Sequence, residues 1–318
     1  MRVDQILEDT EITEIIFQAP GFVSFEKRGR LVNVKETWHE TLSSRDQLFS
    51  QIMESLPKAP SYEHPLASGI WDNFRVQVVS PPTTSDTMVQ LRRISNNETF
   101  KSFSCESWGV PEEVKSILKE RFLIKKQNFM IAGPTGCGKT TLMKTLLFDF
   151  CKSDRVICIE DTPELPQVNA LSCNLNTYIS SSEDINDVTL NDLVKASLRL
   201  RPDRLIMGEM RGEEASVFLL MLSTGHTGSG ATIHAHNPQD ALRRLEMLVQ
   251  MGSPWRIQTV RSLIYSSLDI IITMGRNKNG NRTILKISEL AGLEDHGFLV
   301  NHIYENFEAL PDEEPSFI

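Results

Sequence analysis

The chain has 318 residues, 40% of them hydrophobic and 24% charged, and a formal net charge of −9. That length allows two domains, each with a core of its own, and the acidic balance gives no general attraction for nucleic acid or an anionic bilayer, so direct nucleic-acid binding is not expected. The five cysteines include no CxxC pair and are odd in number, which speaks against a disulfide framework or a zinc knuckle.

No apolar run reaches membrane-spanning length, and the start, MRVDQILEDTEITE, lacks the basic and apolar stretches of a secretory signal; a cytoplasmic protein is expected. IIF at 15–17, FVSFE at 22–26 and LVNV at 31–34 alternate with period two across QAPG and KRGR turns and are predicted as an antiparallel meander. Ser44 then caps a predicted helix in which Leu48, Phe49, Ile52, Met53 and Leu56 recur at helical spacing until Pro57 ends it. WDNFRVQVV and TMVQLRRI are two further predicted strands, which makes residues 1–96 a small α+β domain.

Residues 97–110 turn polar and lose their period, and are predicted as a linker. The second domain, 111–318, opens on PEEVKSILKERF, where Val114, Ile117, Leu118 and Phe122 form one apolar helical face behind Pro111. From there NFMIA, RVICIE, RLIMGE, GATIHA and LDIIITM are predicted strands, alternating with helices after Lys139, Thr189, Gly212 and Asn237, the order of a largely parallel sheet.

GPTGCGKTT, residues 133–141, lies between the first of these strands and a helix, the context that makes a GxxxxGK[ST] motif specific. Gly133, Gly136 and Gly138 let the backbone N–H groups of a loop that includes Thr135 and Cys137 face phosphate oxygens; Lys139 supplies a positive charge and Thr140, followed by Thr141, a hydroxyl for Mg²⁺. Glu209, just beyond RLIM, and Glu160, ending RVICIE, stand where parallel sheets present groups to a ligand. Either could polarise the attacking water; Glu209 is the preferred base and, through water, a metal partner, with Glu160 its competitor. In GHTGSGATIHAH, His226, His234 and His236 lack a familiar zinc spacing, and His226 or His234 is expected to hydrogen-bond a terminal phosphate.

GPTGCGKTT, ICIEDTPEL, RLRPDRLIMGEMRGEE and STGHTGSGATIHAHNPQDALRRLEMLV, in that order, resemble the Walker A, Asp box, Walker B and His box of the type II and type IV secretion and pilus traffic ATPases. EDTEITEIIFQAPGFVSFEKRGRL and NFRVQVVSPP look like the sensor-like domain of that family, so the resemblance covers nearly the whole chain. The GHxGS form and SLDIIITMGRNKNGNRTILKISELAGLE are most similar to the tight-adherence (Flp) pilus ATPase, with the type IV DNA-transfer ATPase close behind; no cysteine follows Cys173, unlike branches with a tetracysteine zinc site. The resemblance implies a RecA-like P-loop motor domain, ATP and Mg²⁺, a homo-hexameric ring, an inner-membrane platform protein as partner, and peripheral membrane association through it. It also implies amino-terminal arginines reaching the phosphates, for which Arg75 and Arg92 are the candidates, with Arg93 as a further one. Cys137 departs from the family's usual serine, and DNFRVQ from its DGSRVN. A non-hydrolysing nucleotide-bound regulator and a nucleic-acid translocase are the rival classes.

Overall fold

The computed structural model describes residues 2–18, 20–27, 30–38, 44–94, 102–180, 186–294 and 297–307. It divides into two compact units, Met1–Asn96 with Tyr178–Asp187, and Asn97–Thr177 with Val188–Ile318. Arg28 and Gly29 of the predicted KRGR turn, Ala19 of QAPG and residues 97–101 lie outside the described residues.

The first unit is a six-stranded antiparallel sheet of β1 (Ile12–Phe17), β2 (Phe22–Lys27), β3 (Arg30–Lys35), β4 (Leu66–Trp71), β5 (Phe74–Val79) and β6 (Met88–Arg93), in the order β3-β2-β1-β6-β5-β4. Period-two burial places Ile15 and Phe17 of β1, Phe74, Val76 and Val78 of β5, and Leu91 of β6 in one core. Helices α1 (Val3–Glu8) and α2 (Arg45–Ser55) add Val3, Ile6, Leu48 and Ile52 to it. Ser44 caps α2, its Oγ accepting the Gln47 N–H at 3.2 Å. WDNFRVQVV is not one strand: Asp72, at φ +50°, turns the chain so that Trp71 pairs with Phe74 across a hairpin. Aspartate tolerates that left-handed angle better than most residues, and apolar residues on both sides conceal the break.

The second unit carries an eight-stranded sheet in the order β14-β13-β12-β7-β11-β10-β8-β9. The strands are β7 (Phe129–Ala132), β8 (Val156–Glu160), β9 (Cys173–Asn176), β10 (Arg204–Met207), β11 (Gly230–Ile233), β12 (Ile270–Arg276), β13 (Arg282–Glu294) and β14 (Gly297–Glu305). From β9 to β12 neighbours are parallel; β13 and β14 extend the sheet as an antiparallel hairpin. Helices α3 (Cys105–Trp108), α4 (Glu112–Leu118) and α5 (Lys139–Phe150) cover one face. The other face is covered by α6 (Leu190–Ser197), α7 (Glu214–Ser223), α8 (Pro238–Met251) and α9 (Ile257–Ser267). Successive strand residues serve opposite cores, Met130 and Ala132 one, Phe129 and Ile131 the other, which is why these strands read as unbroken apolar runs. The fold is therefore α/β, as expected of a RecA-like P-loop domain, with a smaller α+β amino-terminal domain.

The predicted linker is too long. Phe103, Cys105, Trp108 and Val110 are buried in the core beneath α5, and the rings of Phe103 and Trp108 stack with centroids 6.5 Å apart. A four-residue helix closed by Gly109 is too short to show a period in the sequence. Among the described residues, no helix is long and apolar enough to cross a membrane.

Candidate functional site

The carboxyl ends of β7, β8, β10 and β11 share one edge of the parallel sheet, the edge at which such sheets meet ligands. Residues 133–138 join β7 to α5 there. Gly133 must be glycine: a Cβ would lie 2.5 Å from Cys137 Sγ and 2.8 Å from the Met274 carbonyl. Gly138 takes φ +98° as it opens α5, a conformation that side-chain-bearing residues adopt at a cost. Cys137 packs inward, 1% exposed, and burial holds its thiol above the usual range. The thiol is thus a filler beneath the loop.

Lys139 sits in the cradle. Its Nζ donates to the Gly133 and Pro134 carbonyls at 2.9 and 3.0 Å and lies 3.4 Å from His234 Nδ1. Thr135 and Gly136 are exposed at the crest of the loop, and Thr140 and Thr141 start α5 beside it. Arg276, unremarked in the sequence, braces the loop from outside, donating to the Gly136 carbonyl at 3.1 Å and to the Gly280 carbonyl at 2.7 Å.

Glu209 follows β10, and His234 follows β11. His234 Nε2 lies 2.7 Å from Glu209 Oε1. Oε1 is buried against that ring nitrogen. Burial, then the Lys139 charge, hold the His234 imidazole below its ordinary value, which favours the neutral ring. An ammonium can only donate, so Nδ1 is the accepting nitrogen toward Lys139. Lys139, His234 and Glu209 are therefore brought together.

Glu160 has a different environment. It is 5% exposed, and its oxygens accept the Leu165 N–H at 2.9 and 3.1 Å and the Glu164 N–H at 3.2 Å, folding the turn after β8 around the carboxylate. Burial pushes it up to about 7 against the pull of those N–H groups. Because the folded state holds a proton that the unfolded chain releases near 4.5, stability from this group is complete below pH 4.5 and is lost as pH rises through 7. Glu160→Gln is therefore expected to gain about 1–3 kcal/mol on the parent at pH 8 relative to their difference at pH 4.5. Urea unfolding of both proteins at the two pH values checks this; a difference that does not change with pH would sink it.

The expectation for His226 needs correction. Helix α7 runs away from the Glu209 edge, and the turn that follows it returns to the start of β11. The Gly228 carbonyl accepts from Arg204, at the start of β10, at 3.1 Å, and the Ser229 N–H donates to Oδ1 of Asn128, just before β7, at 3.1 Å. His226 thus stands at the amino edge of the strands, its Nδ1 3.2 Å from the Met221 carbonyl, away from its own chain's phosphate loop. The short strand β11 carries the His box from one edge to the other, so a spacing that looks compact in sequence spans the sheet.

Arg75 and Arg92 face each other across β5 and β6, and Arg92 also faces Glu14, with Nε 3.9 Å from the carboxylate. Like charges directly opposite one another disfavour pairing of the strands, which makes the juxtaposition a candidate for work other than folding. Arg93 is committed to structure: it donates to the carbonyls of Ile12, Leu7 and Asp9 and lies 4.5 Å above the Phe74 ring.

Beside the phosphate loop, a cavity of about 690 Å³ is lined by Pro134, Thr135, His234, Arg211, Arg243 and Arg244, among others. Its size is that of ordinary ligand pockets, and its lining offers an anion three guanidinium groups.

The chain is 36% identical over 321 residues to the type IV secretion system protein VirB11 of Bartonella quintana, covering 86% of this chain and 87% of that one. It is 30% identical over 220 residues to matched proteins of Mycobacterium tuberculosis; that match takes in 69% of this chain, which spans 62% of the length of those relatives. The fold is that of the Legionella pneumophila ATPase DotB, with a TM-score of 0.61 at 18% identity, covering 90% of this chain and 79% of that one. The family model for Type II/IV secretion system protein matches residues 3–277, so this chain, with its phosphate loop, paired acidic strand ends and His234, belongs to the Type II/IV secretion system protein family.

Proposed function

We propose that the chain is an Mg²⁺-dependent ATPase that drives a secretion machine, working as a cytoplasmic homo-hexamer held at the inner membrane through a platform protein. The observation that carries the hydrolytic reading is the Glu209 carboxylate just beyond β10, with Oε1 2.7 Å from Nε2 of a histidine that itself contacts the phosphate-loop lysine. A carboxylate at a strand end beside the phosphate loop can act as general base toward water. The donor set fits the metal: the Thr140 hydroxyl would hold Mg²⁺ and Glu209 would meet it through water. When bound, the ion neutralises charge on the phosphate oxygens. The loop's backbone N–H groups and Lys139 bind and orient the phosphates, His234 stays neutral and reports on the Lys139 position, and Arg75 with Arg92 supplies positive charge during turnover. Glu160 shapes the turn after β8.

Among finer readings, a type IV secretion or transfer machine is favoured because a relative matched over most of both chains is named a type IV secretion system protein. A tight-adherence pilus remains the second reading, supported by the GHTGS form of the His box. The test is phosphate release and nucleotide binding by the purified chain and by Lys139→Ala. Loss of charge-assisted bonds to phosphate should weaken binding about 10- to 100-fold. Equal ATP binding by the two proteins would overturn the nucleotide site. Turnover that requires DNA or RNA would move the chain to the translocase class.

A further inference from the structure

Arg211 lines the cavity beside the phosphate loop, and its backbone is firmly held at this edge. Its backbone N–H donates to Glu214 Oε1 at 2.7 Å, and that of Gly212 to the same oxygen at 2.8 Å. The preceding residues are pinned as well, Gly208 to the Ile159 carbonyl at 2.9 Å and Met210 to the Thr232 carbonyl at 3.0 Å. The segment from 208 to 212 is thus anchored to β8, β11 and the start of α7. From this fixed base the guanidinium reaches back to Glu209 Oε2, while its other terminal nitrogen lies 3.6 Å from Asp161 Oδ2. The side chain is 48% exposed, so these ion pairs add little to folding stability.

We infer that Arg211 is the positioning residue for Glu209. It grips Oε2, leans on Asp161 at the end of the neighbouring strand, and so turns Oε1 inward toward His234 and the phosphate loop. A carboxylate on a flexible stem has two equivalent oxygens and several rotamers; a planar guanidinium that spans two carboxylates selects one orientation, which a lysine ammonium cannot do as well. Arg211 acts through Glu209 and need not touch the nucleotide. The inference rests on the hydrolytic reading above and names the residue that makes it geometrically possible.

The experiment compares steady-state phosphate release by the full chain, Arg211→Ala, Arg211→Lys, Asp161→Ala and the Arg211→Ala/Asp161→Ala double variant, with folding checked by urea unfolding. Misorienting a catalytic group lowers turnover rather than substrate binding. Arg211→Ala should lose about 10- to 100-fold in kcat with KM for ATP changed less than about threefold. Arg211→Lys should recover only part of that loss, and tens of millimolar guanidinium chloride should partly restore Arg211→Ala where equal sodium chloride does not. Asp161→Ala should cost a few-fold alone and add almost nothing in the double variant, since both changes disable one clamp. An unchanged kcat in Arg211→Ala, a raised KM with normal kcat, or strictly multiplicative losses would overturn the inference while leaving the ATPase reading standing. A parent chain that binds ATP and releases no phosphate would overturn the hydrolytic reading itself.

Discussion

Glu209→Gln is expected to bind ATP within about threefold of the parent and to release phosphate about 10²–10³-fold more slowly, the usual loss when one group that acts in the transition state is removed. Glutamine keeps the size of the side chain and its contact with Arg211, but it cannot accept a proton. Glu160→Gln is expected to keep most of its turnover, because the Glu160 oxygens are already spent on the N–H groups of Leu165 and Glu164. The two variants measured side by side at saturating ATP separate the two carboxylates. A dead Glu160→Gln beside an active Glu209→Gln would transfer the role of base to Glu160, and its elevated value near 7 would then be the poise of a catalytic group.

The contrast between these glutamates also shows what a sequence can and cannot reveal. Both end apolar strands, and alternation places both at the same edge of the sheet; nothing in RVICIE or RLIMGE distinguishes a carboxylate wrapped by its own turn from one that faces side chains of other strands. That distinction is made by Leu165 and Glu164, which follow a strand end in a segment without a period. The phosphate loop was legible because its chemistry is local, a strand, glycines at fixed offsets and a helix. Arg211 was quoted within the Walker B stretch, but its hold on Asp161 joins two strands some fifty residues apart, a contact set by the parallel pairing of β8 with β10. His226 was misplaced for a related reason: its distance from His234 in the chain is small, but a β-strand rises about 3.3 Å per residue and crosses the sheet in four. Of the last two strands, β13 enters the sequence reading only through a family likeness and β14 does not enter it, since bulges in the pairings of β13 with β12 and with β14 interrupt the alternation.

The second large effect concerns the opposite edge of the same sheet. Arg204 reads in the sequence as an ordinary charged residue before an apolar strand, yet it is completely buried. Its Nε donates to Asp154 at 2.6 Å, its Nη1 to the Gly228 carbonyl at 3.1 Å and its Nη2 to the Phe122 carbonyl at 2.8 Å. One guanidinium thereby ties the start of β10 to the turn before β11 and to the end of the helical segment that follows α4. Burial disfavours the ionised Asp154, but hydrogen bonds from Lys126 and Arg204 outweigh it and hold the carboxyl below the usual range. Asp154→Ala is expected to cost about 3–5 kcal/mol, because it leaves a buried guanidinium without its counter-charge. Arg204→Met should cost less, since Lys126 still reaches Asp154 at 2.8 Å and the thioether fills much of the vacated space. In the Arg204→Met/Asp154→Ala double variant no buried charge is stranded, and the combined loss should fall well below the sum of the two single losses. Urea midpoints of the four proteins decide the matter: a loss under about 1 kcal/mol in Asp154→Ala would mean that water reaches the guanidinium and that the β10 strand, with Glu209 at its far end, is held in register by the apolar core alone.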